Sequence, residues 1–181
     1  MKRPNGTPKL HHFAVILSGA ALLLAGALAA QPGQAQSGTS APPAEKLKAS
    51  AIQVERTNPP EDLVIPESFR VATYENVIRE IDKTKKFQHI YRSGDQTAAN
   101  EPNLVILRMV PSAYKAGSQK KREVTTVAGA TSIKVTVQFT DKTGKVLLEK
   151  ELEGKVRFFG ENLRATYDLA KKVAKVVDDT F

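Results

Sequence analysis

The sequence predicts an α/β (α+β) fold, in which two helices cover one face of a mixed β-sheet. Two observations predict it. Two segments carry apolar residues at the helical spacing of three and four, and residues 131–159 alternate apolar and polar residues as a half-buried hairpin does. A sheet with one apolar face is stable when amphipathic helices pack on that face. We therefore expect a two-layer sandwich of order β-α-β-β-β-α, with both helices on one face.

The first predicted elements are a short strand and a helix. Ile52 and Val54 alternate with polar neighbours and indicate the strand. A turn-rich stretch, NPPEDLVIP, follows, and its Pro66 suits the first position of a helix. We expect Glu75 and Arg79 to form an ion pair on the exposed side of this helix. Its predicted apolar face comprises Val71, Tyr74, Ile78 and Ile81, with Val77 beside them.

Two further strands are predicted before the hairpin. Residues 87–92 (FQHIYR) form a short one. Residues 103–110 (NLVILRMV) are almost continuously apolar, which is typical of a central strand covered on both faces. Pro111 has no N–H to donate to a ladder, so we expect the strand pairing to loosen or bend there.

The hairpin gives the clearest β pattern, and a second helix follows it. The sequence DKTG predicts a tight turn in which Asp141 starts the turn and Gly144 supplies a positive φ. The apolar face of the first hairpin strand comprises Ile133, Val135, Val137 and Phe139. The apolar stripe of the last helix comprises Leu163, Tyr167, Ala170, Ala174, Val177 and Phe181.

Residues 1–35 predict a signal peptide, because a basic start precedes the apolar run FAVILSGAALLLAGALAA and small residues follow it. Residues 36–50 predict a disordered leader, and residues 51–181 predict a single α/β domain. The alternative is a retained membrane anchor, since eighteen apolar residues just reach across a bilayer. The chain has no cysteine for lipid attachment, so it is not predicted to be a lipoprotein. The expected location is periplasmic or secreted.

Charge narrows the classes of partner. Three of the 27 lysines and arginines precede the predicted cleavage region, so 24 basic residues oppose 19 acidic ones in the mature chain, a net charge of +5. An exported, moderately basic domain suits an envelope protein partner, an anionic polymer or a weak contact with a membrane surface. Nucleic acid is disfavoured because export removes access to it.

Few residues suggest catalysis. His89, the one histidine after the leader, lies within a predicted strand, whereas a hydrolase needs a base together with a nucleophile and an orienting group. Zinc needs three or four ligands, and no acidic stretch has the spacing of a calcium loop. The alternating Glu149, Glu151 and Glu153 describe a solvated strand face. We therefore predict no enzyme activity, no metal and no cofactor.

The segment 117–130 contains the candidate contact residues, Lys120, Lys121 and Arg122, with Gly129 after them. In a phosphate-binding loop the glycines come before the lysine and a helix follows, whereas here Gly129 follows the basic cluster and a strand comes next. We therefore favour a mobile connection between two antiparallel strands. In it the basic triplet would be exposed and dispensable for folding. The alternative is a surface loop that contacts an anion or a partner.

Residues from about 52 to 181 resemble a bacterial family of exported proteins, domain of unknown function 4410, whose members are often envelope lipoproteins. The most specific part of the resemblance is ATSIKVTVQFTDKTGKVLLEKELEGKV, with the turn residues Asp141 and Gly144. The family carries no assigned activity, so the resemblance implies location and fold rather than chemistry. This chain departs from the lipoprotein members in lacking the cysteine.

These features favour a non-enzymatic periplasmic or secreted interaction module, an accessory component of an envelope assembly. One alternative is a binding protein for an anionic envelope ligand that uses segment 117–130, and another is a cryptic hydrolase. The dependence of binding on salt distinguishes the interaction module from the anion-binding protein, because binding through exposed basic residues weakens as ionic strength rises.

We expect the exported chain to begin between Ala30 and Gln36 and to be soluble without detergent, because signal peptides are removed after small residues. The intact mass of protein recovered from the periplasm tests this expectation. A mass that still includes residues 13–29 would indicate a retained anchor instead.

Overall fold

A computed structural model describes residues 46–125, 128–157 and 161–181. The predicted signal peptide, the alternative membrane anchor and residues 36–45 of the predicted leader lie outside these ranges. No helix within them is long and apolar enough to cross a membrane. The strands are β1 (Ala51–Val54), β2 (His89–Arg92), β3 (Leu104–Lys115), β4 (Thr131–Thr140) and β5 (Val146–Val156). The helices are α1 (Glu67–Thr84), α2 (Gln119–Val124) and α3 (Arg164–Thr180), and a short 3₁₀ helix, Gln96–Asn100, precedes β3.

The strands form one mixed sheet in the order β2-β1-β3-β4-β5. β1 runs parallel to β2 and to β3, whereas β4 is antiparallel to β3 and β5 is antiparallel to β4. The predicted α+β class and mixed sheet are confirmed. The sheet has five strands, whereas the predicted order β-α-β-β-β-α contains four. The additional strand arises because the hairpin consists of two strands, β4 and β5. The predicted order also lacks α2.

The two long helices pack against each other and cover one face of the sheet, as predicted. On β4, Val135, Val137 and Phe139 are fully buried beneath them. Thr136 and Gln138, which alternate with these residues, are only partly buried. Burial of apolar surface contributes about 25 cal/mol per Å², so this contact between the layers is the main stabilising feature of the domain.

The buried faces of the helices are rotated from the predicted ones. Val71 of α1 is 52% exposed, and Tyr167 of α3 is 37% exposed, with the ammonium group of Lys171 at 4.6 Å from its ring centroid. Glu75 pairs with Arg92 of β2 rather than with Arg79, because the turn that follows β2 lies beside α1. The residues that α1 buries are Phe69, Thr73, Tyr74, Val77, Glu80 and Ile81.

β3 is the central strand, as predicted, but its second face is covered only near the start of the strand, since Arg108 and Val110 are exposed on that face. Leu107 and Met109 are buried in the main core. On the opposite face Leu104 packs with Ala98 in a small second cluster. The register with β4 shifts after Pro111, which confirms the predicted irregularity, since proline cannot donate to the ladder.

The domain begins earlier than predicted. The N–H of Leu47 donates to the carbonyl of Thr180 at 2.8 Å, and the N–H of Gln88 donates to the carbonyl of Ser50 at 2.8 Å. Ala49 packs against the main core. Residues 46–50, assigned to the disordered leader, are therefore part of the domain, because their backbone pairs with its last helix and with the approach to β2.

The turn between β4 and β5 has the predicted form. The Asp141 carboxylate accepts hydrogen bonds from the hydroxyl of Thr143 at 2.6 Å, the N–H of Thr143 at 2.8 Å and the N–H of Lys145 at 3.0 Å. These bonds hold the pKa of Asp141 below its ordinary value, and the bond from the Thr143 hydroxyl has the largest effect. Gly144 has a φ of +86°. Asp141 is therefore a turn former, as predicted.

Side chains of α3 cover part of the outer edge of β5. The Asp168 carboxylate accepts from the N–H of Lys155 at 2.9 Å, and the ammonium of Lys172 donates to the carbonyl of Glu153 at 2.6 Å. Asp168 and Lys172 also pair with each other at 2.8 Å. The backbone at this end of the edge strand is thus hydrogen-bonded on both sides.

Replacement of Val135 or Val137 with Asp should unfold the domain. A buried unpaired carboxylate costs several kcal/mol, and a domain of this size is stable by only about 5–15 kcal/mol. Thr136→Asp, on the other face of the same strand, is the matched control and should change stability by about 1 kcal/mol at most. Urea denaturation measures the three effects, and similar losses at all three positions would contradict the assigned faces.

Candidate functional site

The basic triplet lies on α2, a short helix within the connection from β3 to β4. Ser118 caps this helix, because its side-chain oxygen accepts from the N–H of Lys121 at 3.4 Å. Lys120 and Lys121 are exposed, whereas Arg122 is 3% exposed. The helix therefore separates the triplet into two surface cations and one buried cation.

Arg122 joins the two ends of the connection to the start of α3. Its guanidinium donates to the carbonyl of Gly129 at 2.6 Å, to the side-chain oxygen of Asn162 at 2.9 Å and to the hydroxyl of Thr131 at 3.4 Å. The Thr131 hydroxyl donates to the same Asn162 oxygen at 2.9 Å, and the Asn162 amide donates to the carbonyl of Gly117 at 3.4 Å. We call these five residues the Arg122 cluster.

The two glycines of the cluster allow the two ends of the connection to touch. A Cβ on Gly117 would lie 2.3 Å from both the carbonyl oxygen of Gly129 and the side-chain oxygen of Thr131. Gly129 has a φ of +89°, which side chains disfavour, and the N–H of Ser118 donates to its carbonyl at 3.0 Å. The close approach at Gly129 is therefore between two parts of this chain.

The structure corrects the prediction for the triplet. Arg122 is not an exposed contact residue, because burial requires it to be hydrogen-bonded and the cluster provides the acceptors. Lys120 and Lys121 remain candidate contact residues. Ser118, a favoured N-cap, was the one sequence signal for α2. Asn162, forty residues after Arg122, gave no signal in the sequence.

The other residues considered for chemistry lie on two strands of the sheet, β2 and β5. His89 is exposed on β2, an edge strand, and its ring lies 6.0 Å from that of Tyr91. Glu151 pairs with Lys134 at 3.6 Å, and Glu153 pairs with Lys155 at 2.5 Å, which lowers the pKa of Glu153. Within the three described ranges, no group of three or more acidic or histidine side chains is arranged to hold a metal ion.

Two exposed patches of opposite charge lie on segments outside the sheet. The α2 patch consists of Lys120, Lys121 and Val124, and Val124 is 87% exposed. The 61–64 patch, in the loop before α1, contains Glu61, Asp62 and Val64, and Val64 is 84% exposed. No side chain of these charged residues forms an ion pair or hydrogen bond with another described residue. Each patch thus combines unpaired charge with an exposed apolar side chain.

Solved structures are similar to this chain in fold. No family model matches the chain, and no curated protein matches it. The resemblance to domain of unknown function 4410 therefore stays a prediction. The chain shares its fold with PelC. The PelC dodecamer from Paraburkholderia phytofirmans has a TM-score of 0.54 at 11% identity, over 71% of this chain and 89% of that one.

Two further solved structures are similar to this chain. A single-residue variant of the PelC dodecamer from the same organism has a TM-score of 0.50 at 10% identity, over 73% of this chain and 87% of that one. A Xanthomonas campestris protein of the unknown-function family DUF330 has a TM-score of 0.47 at 10% identity, over 75% of this chain and 86% of that one. At these identities the PelC structures establish a shared fold and nothing about activity.

Arg122→Ala should lower the free energy of unfolding by about 2–4 kcal/mol, because it removes the buried donor from the Gly129 carbonyl and the Asn162 oxygen. Lys121→Ala, which removes the neighbouring exposed cation, is the matched control and should have an effect of about 0.5 kcal/mol or less. Chemical denaturation measures both. Equally small effects would mean that the triplet is dispensable for folding after all.

Proposed function

We propose that the protein is a non-enzymatic module of the bacterial envelope that assembles with further copies of itself. The observation that carries this proposal is the pair of complementary surfaces, the α2 patch and the 61–64 patch. One presents two lysines and a valine, and the other presents two acidic residues and a valine. An apolar contact with opposite charges around it is a common design of protein interfaces.

The position of α2 suits it to this role. Lys120, Lys121 and Val124 are displayed on a helix that Arg122 holds against the domain through its bonds to Gly129 and Asn162. A fixed surface loses less conformational entropy on binding than a mobile loop does. The Arg122 cluster thus holds a contact surface in place within a segment that the sequence predicted to be a mobile connection.

The two patches lie on different segments of the chain, so a contact between them joins unlike surfaces of two copies. Contacts of this kind leave a free patch of each sort at the ends and continue until a ring closes, or else form a filament. The shared fold with a subunit of the PelC dodecamer supports a closed assembly.

The proposed export rests on the sequence, and the proposed absence of catalysis rests on the contacts that the acidic residues make. The basic and apolar start of the chain supports export. The absence of catalysis is supported by Asp141 in a turn and by Glu151 and Glu153 in ion pairs with lysines. An anionic ligand bound by segment 117–130 would have Lys120 and Lys121 alone, because Arg122 is buried.

A charge exchange tests the proposed contact. We expect the chain recovered from the periplasm to give a multimeric mass by native mass spectrometry and by sedimentation. Lys120→Glu with Lys121→Glu should dissociate the multimer, because like charges then face each other. Adding Glu61→Lys and Asp62→Lys to the same chain should restore it, since the two patches are again complementary.

The matched control is Lys48→Glu with Lys150→Glu, which changes the net charge equally at two exposed lysines outside both patches. It should leave the multimer intact. A monomeric wild-type chain would contradict self-assembly. Dissociation by the control, or no rescue in the fourfold variant, would contradict the contact between these two patches.

A further inference from the structure

A cleft of about 490 Å³ lies where the parallel strands β1 and β2 end, beside the first half of α1. Arg56 and Thr57 follow β1, Arg92 ends β2, and Arg70 and Tyr74 come from α1. Small-molecule sites have volumes of roughly 300–1,000 Å³. In sheets with parallel strands, ligands bind outside the carboxyl ends of those strands. Both the size and the place of this cleft are therefore those of a ligand site.

One of its three arginines is fixed by the fold. Arg92 donates to both carboxylate oxygens of Glu75, at 2.6 and 2.9 Å, and its guanidinium lies 5.7 Å from the centre of the Tyr74 ring. These bonds hold the pKa of Glu75 below its ordinary value. Arg92 thus has its partner already and forms a wall of the cleft.

The other two arginines are open to a ligand. Among the described residues Arg70 forms an ion pair with Glu67 alone, one turn earlier on α1, and both side chains are more than a third exposed. Exposed pairs of this kind contribute little, so an incoming anion can take the place of Glu67. Arg56 is exposed and makes no ion pair or side-chain hydrogen bond within the described residues. The three arginines and the two glutamates of the cleft, Glu67 and Glu75, together give it a net charge of +1.

Two buried polar atoms in the wall of the cleft lack a hydrogen-bond partner among the residues that the structure describes. Thr57 is 4% exposed, and its hydroxyl makes no hydrogen bond within the described part of the chain. The Nε atom of Arg70 is also buried without one. Buried polar atoms are nearly always hydrogen-bonded in folded proteins, and an exception calls for an explanation. An acceptor bound in the cleft would provide it, with small shifts of these two side chains.

We propose that this cleft binds an oxyanion, a carboxylate or phosphate on a molecule the size of one sugar, through Arg56, Arg70 and the hydroxyl of Thr57. A guanidinium presents parallel N–H groups that match two oxygens of either anion. The Thr57 hydroxyl donates to a further oxygen. The site shares no residue with the α2 patch or the 61–64 patch.

The probes are glucuronate, glucose 6-phosphate and uncharged glucose, titrated into the full exported chain. We expect at least one of the two anions to bind by calorimetry and to shift the backbone amide NMR signals of Thr57 and Ser93, and glucose to do neither. The anion that binds more tightly identifies the carboxylate or the phosphate. Arg56→Gln and Arg70→Gln should each weaken that binding by about tenfold or more.

Arg157→Gln is the matched control, because it removes the same charge from an exposed arginine outside the cleft. It should bind the anion as the wild type does. Thermal melting should be unchanged in all three variants, since none of these side chains belongs to the core. The proposal is overturned if neither anion binds, if glucose binds equally well, if the cleft variants bind normally, or if Arg157→Gln weakens binding as much as they do.

Discussion

The contact between the apolar face of the sheet and the layer formed by α1 and α3 determines where the other features of the domain lie. Val135 and Val137 of β4 are at its centre, and Leu169 and Val173 of α3 are fully buried with them. This contact sets the ends of β1 and β2 beside the start of α1, where the arginine cleft forms. It also brings the start of α3 to the connection between β3 and β4, where Asn162 meets Arg122.

Features that depend on neighbouring residues could be predicted from the sequence. The faces of β4 follow from an alternation with a period of two, and Asp141 forms its turn with residues two and four positions later. The apolar face of α1 was less determined. Val71, Tyr74 and Ile78 have helical spacing, but so do Phe69, Thr73 and Val77. Only the packing of α1 on the rest of the core buries the second set together with Tyr74 and leaves Val71 exposed.

Features that depend on distant residues could not be predicted. Arg122 is in a run of three cations, which normally indicates solvent, and its acceptors come from Gly129, Thr131 and Asn162. The arginines of the cleft come from three separate segments, and the parallel pairing of β1 and β2 brings them together. No local sequence pattern indicates that these three arginines come together. The sequence therefore predicted a surface site at the triplet and did not predict the cleft.

The side chains of α3 that cover part of the outer edge of β5 restrict how another chain can pair with this sheet. An uncovered edge strand pairs readily with a strand of another molecule, and that route leads to continuous sheets and fibrils. Asp168 and Lys172 occupy the outward N–H of Lys155 and the outward carbonyl of Glu153. A neighbouring chain cannot extend the sheet at this end without first displacing them. At this end of β5, a contact with another chain is therefore limited to side chains, which can separate and re-form without any change in the backbone pairing of the sheet.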